Sequence, residues 1–362
     1  MKERYAGCLG VNMAAMEEGL LQALMRDGCR ILEEFFASHD FTDLYEAPTG
    51  CRCYKDRHLT VHSVLGDFSI WRNYYNDGKE GLVPLDLLLN LSDGVTPGLQ
   101  KLMARAGAMS GSYELAEDDL RIYSRLNVTS RSIQRMVEAI GPDIERWQAE
   151  RAAEKPDNPP DVMYISYDGT GVPARKSETR GRKGKQPDGS SNTREVKLGC
   201  IYTQADLEHG REPVRDYEST TYLAGFEPAE SFVARMRGEA IQRGMMYVKK
   251  TVVIGDGAKW IWNQGEINFP GAVQILDLYH AFEHVNNLAA LLRPGLSPDK
   301  GYAKKWRKWL EYNKVDNLIK EASGLNRECN SNYDEIKTEI GYFENNRDRM
   351  TYKTFREEGY FV

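Results

Sequence analysis

No uninterrupted apolar stretch in the 362 residues approaches the roughly 20 needed to span a bilayer. Residues Met1 to Gly10 also lack the apolar core of a signal peptide. These absences leave a cytoplasmic protein with no membrane partner as the expectation. Cysteine is scarce: Cys8, Cys29, Cys51, Cys53, Cys200 and Cys329 are scattered except for one close pair, so no disulfide framework is suggested and reduced thiols are expected. Strong basic charge is missing as well. A formal net charge of -6 argues against a histone-like binder, although local basic patches can still contact nucleic acid. What remains is ordinary for a soluble chain, with 41% hydrophobic and 28% charged residues and enough length for two or three domains with their own cores.

Three apolar runs end on aspartate. The first, Val162 to Gly171, is strand-like up to Asp168 and is broken by Gly169 and Gly171 directly after the carboxylate. The second, Thr251 to Gly257, puts Asp256 at a strand end between two glycines, and the third, Ala272 to Leu278, ends on Asp277, two residues short of His280. A single such aspartate reads as a turn or cap residue. Three on one sheet point towards a metal site.

Before these runs, residues 13 to 37 space their apolar side chains at three- and four-residue intervals, as an amphipathic packing or self-association helix does. Residues 59 to 75 form two alternating runs around Gly66-Asp67 and predict a β-hairpin. Cys51 and Cys53 precede it and invite a zinc reading with His58 and His62, but the return side has no cysteine or histidine, so zinc is not expected. Tyr113 to Arg125 predicts a helix, 126 to 128 a turn, and Thr129 or Ser130 a cap for a second helix ending at Gly141-Pro142. This is a helix-turn-helix pattern. It would set Arg131, Gln134 and Arg135 on the exposed face of the second helix, where groove-reading residues sit. Lys155 to Pro160 then reads as a linker.

Past Asp168, Arg175 to Lys185 is a basic, glycine-rich loop in which Arg180, Arg182, Lys183 and Lys185 would track phosphates. Strands over 194–203 and 213–222, a helix over 228–243, the Asp256 strand, a helix, the Asp277 strand and a helix over 278–292 complete the order of a ribonuclease H-like α/β fold. In that architecture the first and fourth strands lie side by side, so Asp168 and Asp256 can meet. His280 and His284 are an i, i+4 pair beside Glu283, able either to ligate a metal or to pack. Between 300 and 314, Lys304, Lys305, Trp306 and Arg307 interleave charge with aromatics, which suits single-stranded nucleic acid or, equally, an amphipathic helix packing its tryptophans inward. The regions expected are a helix and hairpin region over 1–95, a helix-turn-helix over 96–155, a ribonuclease H-like catalytic core over 156–294, and a helical insertion with the start of a final catalytic segment over 295–362.

DGTGVPARK (168–176), TREVKLGCIYTQ (193–204), IGDGAKWIWN (254–263), DLYHAFEH (277–284) and YFENNRDRM (342–350) resemble the insertion-sequence transposases of the Kra-four family, of the DDE group. Aspartate, two residues and histidine after the fifth strand is also similar to a signature of Mutator-like transposases. The resemblance implies that Asp168 and Asp256 are the first two catalytic and metal-binding acids, with Asp277 and His280 as an accessory pair. Mg²⁺ (or Mn²⁺) would be the cofactor, because in-line attack at phosphorus needs hard cations held by carboxylates. Double-stranded DNA at the inverted-repeat ends of an insertion sequence would be the partner, engaged by a homo-oligomer.

Two departures from that family stand out. The second cysteine pair of the hairpin is replaced by Asn76-Asp77-Gly78-Lys79, and the sequence stops at Val362, before the Gly-Ser-Gly-x-x-Glu motif that carries the third acid. Glu283, Glu344, Glu357 and Glu358 do not stand in that motif's context. The expectation is therefore a truncated DDE transposase that binds DNA and is impaired in cleavage. A DNA-binding remnant competing for element ends, and another ribonuclease H-like nuclease, are the alternatives.

Overall fold

A computed structural model describes residues 13–150, 157–204, 213–293, 301–326 and 331–362. The chain divides into two compact units, Met1–Trp147 and Gln148–Val362. The boundary between them lies inside the helix Ser130–Glu150.

In the first unit, α1 (Met13–Ser38) is the amphipathic helix that the spacing predicts and packs on a hairpin of β1 (Arg52–Ser63) and β2 (Gly66–Asn76). The hairpin's turn differs from expectation. Ser63 pairs with Gly66, so Val64 and Leu65 make the connection and Gly66 opens β2 at φ +114. Packing decides this placement: Leu65 joins the cluster around Cys29, Val61, Phe68 and Ile70, and its carbonyl accepts the Cys29 thiol at 3.3 Å. A short β3 (Gly81–Leu82) extends the sheet, followed by α2 (Pro84–Leu88) and α3 (Pro97–Met109).

The paired helices follow. α4 (Tyr113–Asp119) starts at an N-cap, Ser112, and ends in a wide turn over Leu120–Ser124, after which Arg125 takes a left-handed φ of +56. Thr129, rather than Ser130, caps α5 (Ser130–Glu150): its Oγ1 accepts the Ser132 N–H at 3.2 Å. Leu99, Met103, Ala116, Leu120, Leu126, Ile133 and Met136 bury one face of the pair. The predicted stop at Gly141-Pro142 is corrected, for α5 runs through Pro142 to Glu150. Proline forfeits one backbone hydrogen bond and bends a helix, but the turns on either side can continue when nothing blocks them.

The second unit is built on a five-stranded mixed sheet in the order β6-β5-β4-β7-β8. β4 (Val162–Pro173), β5 (Thr193–Gln204) and β6 (Arg215–Gly225) form an antiparallel meander, whereas β7 (Lys250–Gly255) and β8 (Val273–Leu276) run parallel to β4. A four-residue α6 (Lys176–Thr179) sits between β4 and β5. α7 (Ala229–Gln242) links β6 to β7, α8 (Lys259–Asn268) links β7 to β8, and α9 (Leu278–Leu292) follows β8. Apart from α6, this is the order that the sequence predicts.

β4 itself corrects one expectation. It does not end at Asp168 but continues five residues further, because β5 pairs with it without interruption from Val162↔Gln204 to Pro173↔Thr193. The glycines permit this instead of breaking it. A Cβ on Gly169 would meet Glu195 Oε1 at 2.6 Å, so the bare backbone is what lets the neighbouring strand's side chain lie across.

Four further helices complete the unit: α10 (Ala303–Glu311), α11 (Val315–Leu325), α12 (Tyr333–Asn345) and α13 (Tyr352–Glu357). They share one core with the strands, in which Tyr164, Ile165, Val253, Phe232, Val285, Trp306, Leu318 and Phe343 are all fully buried. The sequence after α13 docks as well. Phe361 lies edge-on to Tyr164 at 5.3 Å, and Gln204 donates to the Gly359 carbonyl at 3.0 Å.

Candidate active site

The parallel ladders set the three aspartates on adjacent strands. Ser166 of β4 pairs with Ile254 of β7, so two residues further on Asp168 and Asp256 stand side by side. Gly255 pairs with Leu276 of β8, and the next residue, Asp277, donates its N–H to the Gly255 carbonyl at 2.8 Å. Asp256 and Asp277 thus follow the C-terminal ends of β7 and β8, where open α/β sheets hold their ligands, while Asp168 lies within β4, two residues past its last pairing with β7. Asp168 is exposed, with Oδ1 accepting the Gly169 N–H at 2.5 Å, and Asp256 is half-buried, with Oδ1 accepting the Ala258 N–H at 2.9 Å. Asp277 has a structural duty: its Oδ1 accepts the His280 N–H at 2.9 Å and caps α9. Among the described residues no group of three or more His, Cys, Asp or Glu side chains is placed to hold a metal ion.

Tyr342 of α12, to which no role was given from sequence, links this edge to the helices. Its hydroxyl donates to the backbone carbonyl of Asp256 at 2.8 Å, and its ring stacks on His284 at 3.6 Å and 16°. Burial, and then the charges of Asp256, Glu339, Asp277 and Glu283, push this hydroxyl well above its ordinary range, so it stays a neutral donor. His284 Nδ1 lies 2.7 Å from Glu339 Oε2, and His280 lies 3.3 Å from Glu283. Glu339, absent from the glutamates weighed by sequence, is therefore the acid that α12 presents to the histidine pair. Its i, i+3 spacing to Tyr342 was a visible sign that the two share a helix face.

The residues expected to contact DNA fare unequally. Arg131 and Arg135 are exposed on α5, while Gln134 is half-buried and bonded to Glu138 at 2.7 Å. Lys304 and Lys305 are exposed on α10, with Lys305 held by Glu321 at 2.5 Å, and Arg307 bonds Asn286. Trp306 is corrected: it is 0% exposed and donates Nε1 to Glu321 at 2.9 Å, so its ring fills the core and cannot stack on a base. Around the hairpin, His58 bonds Ser69 and His62 bonds Asp67, and the four described cysteines are free. Cys8 and Cys329 lie outside the described residues.

The loop after Asp168 is folded rather than unstructured. α6 opens it with the Glu178 carboxylate accepting the Arg175 N–H at 3.1 Å, and a miniature hairpin closes on the Lys183↔Ser190 bridge and the Ser191 N–H to Arg182 carbonyl bond of 3.1 Å. Arg182, Lys183 and Lys185 are exposed on it, and Arg180 immediately precedes it.

Fold and site together define a mixed α/β protein with an aspartate on each of three adjacent parallel strands or directly after it. Residues 9–359 match an uncharacterised protein family, UPF0236, and the chain belongs to that family. No curated protein matches it. Among solved structures, the chain is similar to the Drosophila P element transposase strand transfer complex at 9% sequence identity, covering 72% of this chain and 67% of that one, with a TM-score of 0.28.

Proposed function

We propose that this chain is a DDE-type transposase of the insertion-sequence kind, cleaving and joining DNA on a ribonuclease H-like domain. The observation that carries the reading is the register just described, which sets Asp168 and Asp256 abreast on neighbouring parallel strands. Strand order β6-β5-β4-β7-β8, antiparallel then parallel, supports the ribonuclease H-like assignment.

The carboxylates offer hard oxygens suited to Mg²⁺ or Mn²⁺, and two of them leave positions for water and phosphate around one ion. Such an ion, when bound, activates an attacking oxygen and stabilises the leaving one at phosphorus. The chain's own contribution is placement. Tyr342 and the parallel ladder fix the backbone on either side of Asp256, and Asp277, as the accessory residue, sets the start of α9 and with it His280. On the first unit, Arg131 and Arg135 of α5 are the residues for duplex contact, with Gln134 spent partly within the helix. On the second, Arg180, Arg182, Lys183, Lys185, Lys304 and Lys305 serve the strand backbone. A homo-oligomer would hold two inverted-repeat ends.

A second reading, binding of element ends without cleavage, is favoured by the lack, among the described residues, of a third acid joining Asp168 and Asp256. One experiment separates the two. Mn²⁺ binding by calorimetry and Mn²⁺-dependent nicking of element-end duplexes should both be lost in Asp168→Asn and Asp256→Asn, nicking by about a hundredfold or more. Nicking that survives both substitutions defeats the catalytic assignment, and DNA binding without nicking in the unsubstituted protein selects the second reading.

A further inference from the structure

The loop between β4 and β5 borders an open cavity of about 550 Å³, lined by Arg182, Lys183, Lys185, Ser191, Thr193 and Arg194. The segment from Arg175 to Lys197 carries eight basic and three acidic residues in a chain whose net charge is -6. Local charge, then, runs against the whole. All three of those acids are engaged: Glu178 accepts the Arg175 N–H at 3.1 Å, Asp188 accepts from Ser190 and orders the miniature hairpin, and Glu195, which also lines the cavity, is 3.2 Å from the nearly buried Nζ of Lys197.

Arg194 is the feature that the sequence did not single out. Its guanidinium lies 4.1 Å over the Phe226 ring and 3.8 Å from Glu178, too far for a hydrogen bond. It makes no hydrogen bond among the described residues, and its Nε is sealed from solvent without a partner. A stacked guanidinium with unspent donors is pre-organised for an oxyanion, since little further ordering is needed when the anion arrives.

Register ties this cavity to the aspartates. Arg194 pairs with Val172, and Asp168 pairs with Leu198. Antiparallel partners share a face, as do residues 168 and 172 of one strand, so Arg194 and Asp168 lie on the same side of the sheet. Four residues separate them, about 13 Å along the strand at ~3.3 Å per residue. That is roughly four base steps of one DNA strand at ~3.4 Å each.

We propose that this cavity is a phosphodiester-binding site, with Arg194 as its anchor and Lys183 and Lys185 at its rim. It holds the backbone of the DNA strand whose phosphate, a few nucleotides away, lies at Asp168. This rests on the transposase reading for the identity of the strand, whereas the anion site itself rests on the cavity.

The test uses the full chain and fluorescein-labelled duplex and single-stranded oligonucleotides, with anisotropy followed across a sodium chloride series. Arg194→Gln should weaken binding about tenfold and lower the slope of log affinity against log salt by about 1. Lys183→Gln/Lys185→Gln, at exposed positions that leave the fold intact, should lower the slope by about 2 and stands in if Arg194→Gln fails to fold. Wild-type affinity and slope in the folded Arg194 variant, or in the double lysine variant, overturns the proposal. So does loss of pyrophosphate binding in these variants with DNA affinity unchanged, which would mark a site for free phosphates. Weakened DNA binding in a protein that never nicks DNA would uphold this site while defeating the catalytic reading.

Discussion

Gly257 follows Asp256 at φ +100, and a methyl group there would lie 2.7 Å from the Tyr342 ring. Two constraints therefore meet at one residue: a backbone conformation that L side chains rarely adopt and a contact too close to hold a Cβ. Gly257→Ala should cost about 1–3 kcal/mol in a urea melt, and Tyr342→Phe, which strips the Asp256 carbonyl of its donor, about 1 kcal/mol. If Gly257→Ala melts with the wild type, the turn is not strained as described. At this scale the sequence showed Asp256 and its glycines plainly, because a strand-ending carboxylate with a turn residue beside it is a local pattern. Tyr342 and Glu339 were hidden for the opposite reason. They are 86 and 55 residues from the groups they touch, and no spacing rule reaches that far.

Among the elements, α10 shows how an interleaved basic and aromatic pattern can have two physical outcomes. Its charged side chains are on one side, but Ala303, Trp306 and Leu310 are buried and Glu321 of α11 receives both Lys305 and the Trp306 indole. Burial opposes ionisation of Glu321, yet the hydrogen bonds from Lys305 and Trp306 outweigh it and hold the carboxyl below its ordinary value. A depressed folded pKa contributes stability above the unfolded value, about 4.3 for glutamate, and loses it as pH falls through the folded value. Glu321→Gln should thus melt below the wild type at neutral pH, with the gap closing as the pH drops beneath about 4. A gap of constant size from neutral to acid pH would show that the ionised carboxylate contributes nothing. Neither the continuation of β4 past Asp168 nor that of α5 past Pro142 was legible locally. Glycine and proline mark breaks by propensity, and a partner strand or an unobstructed next turn overrides them.

At the scale of the molecule, each unit has cores of its own, around Leu99 and Ile133 in the first and around Tyr164, Val253 and Trp306 in the second. Expressed separately, residues 1–147 and 148–362 should each unfold cooperatively in denaturant, and the Mn²⁺ binding proposed above should reside in the second, because Asp168 and Asp256 both belong to it. A non-cooperative transition in either fragment would mean that the units do not fold alone. By itself the sequence determined the strands, most of the helices, their order and the strand-end positions of Asp256 and Asp277, since periodicity and turn chemistry act over a few residues. Only the tertiary structure decided the register between those strands, where the hairpin turns, that Trp306 faces inward, and that Arg194 and Asp168 share a face. Those outcomes depend on strand register and on which apolar surface is covered, and both are settled between segments far apart in the chain.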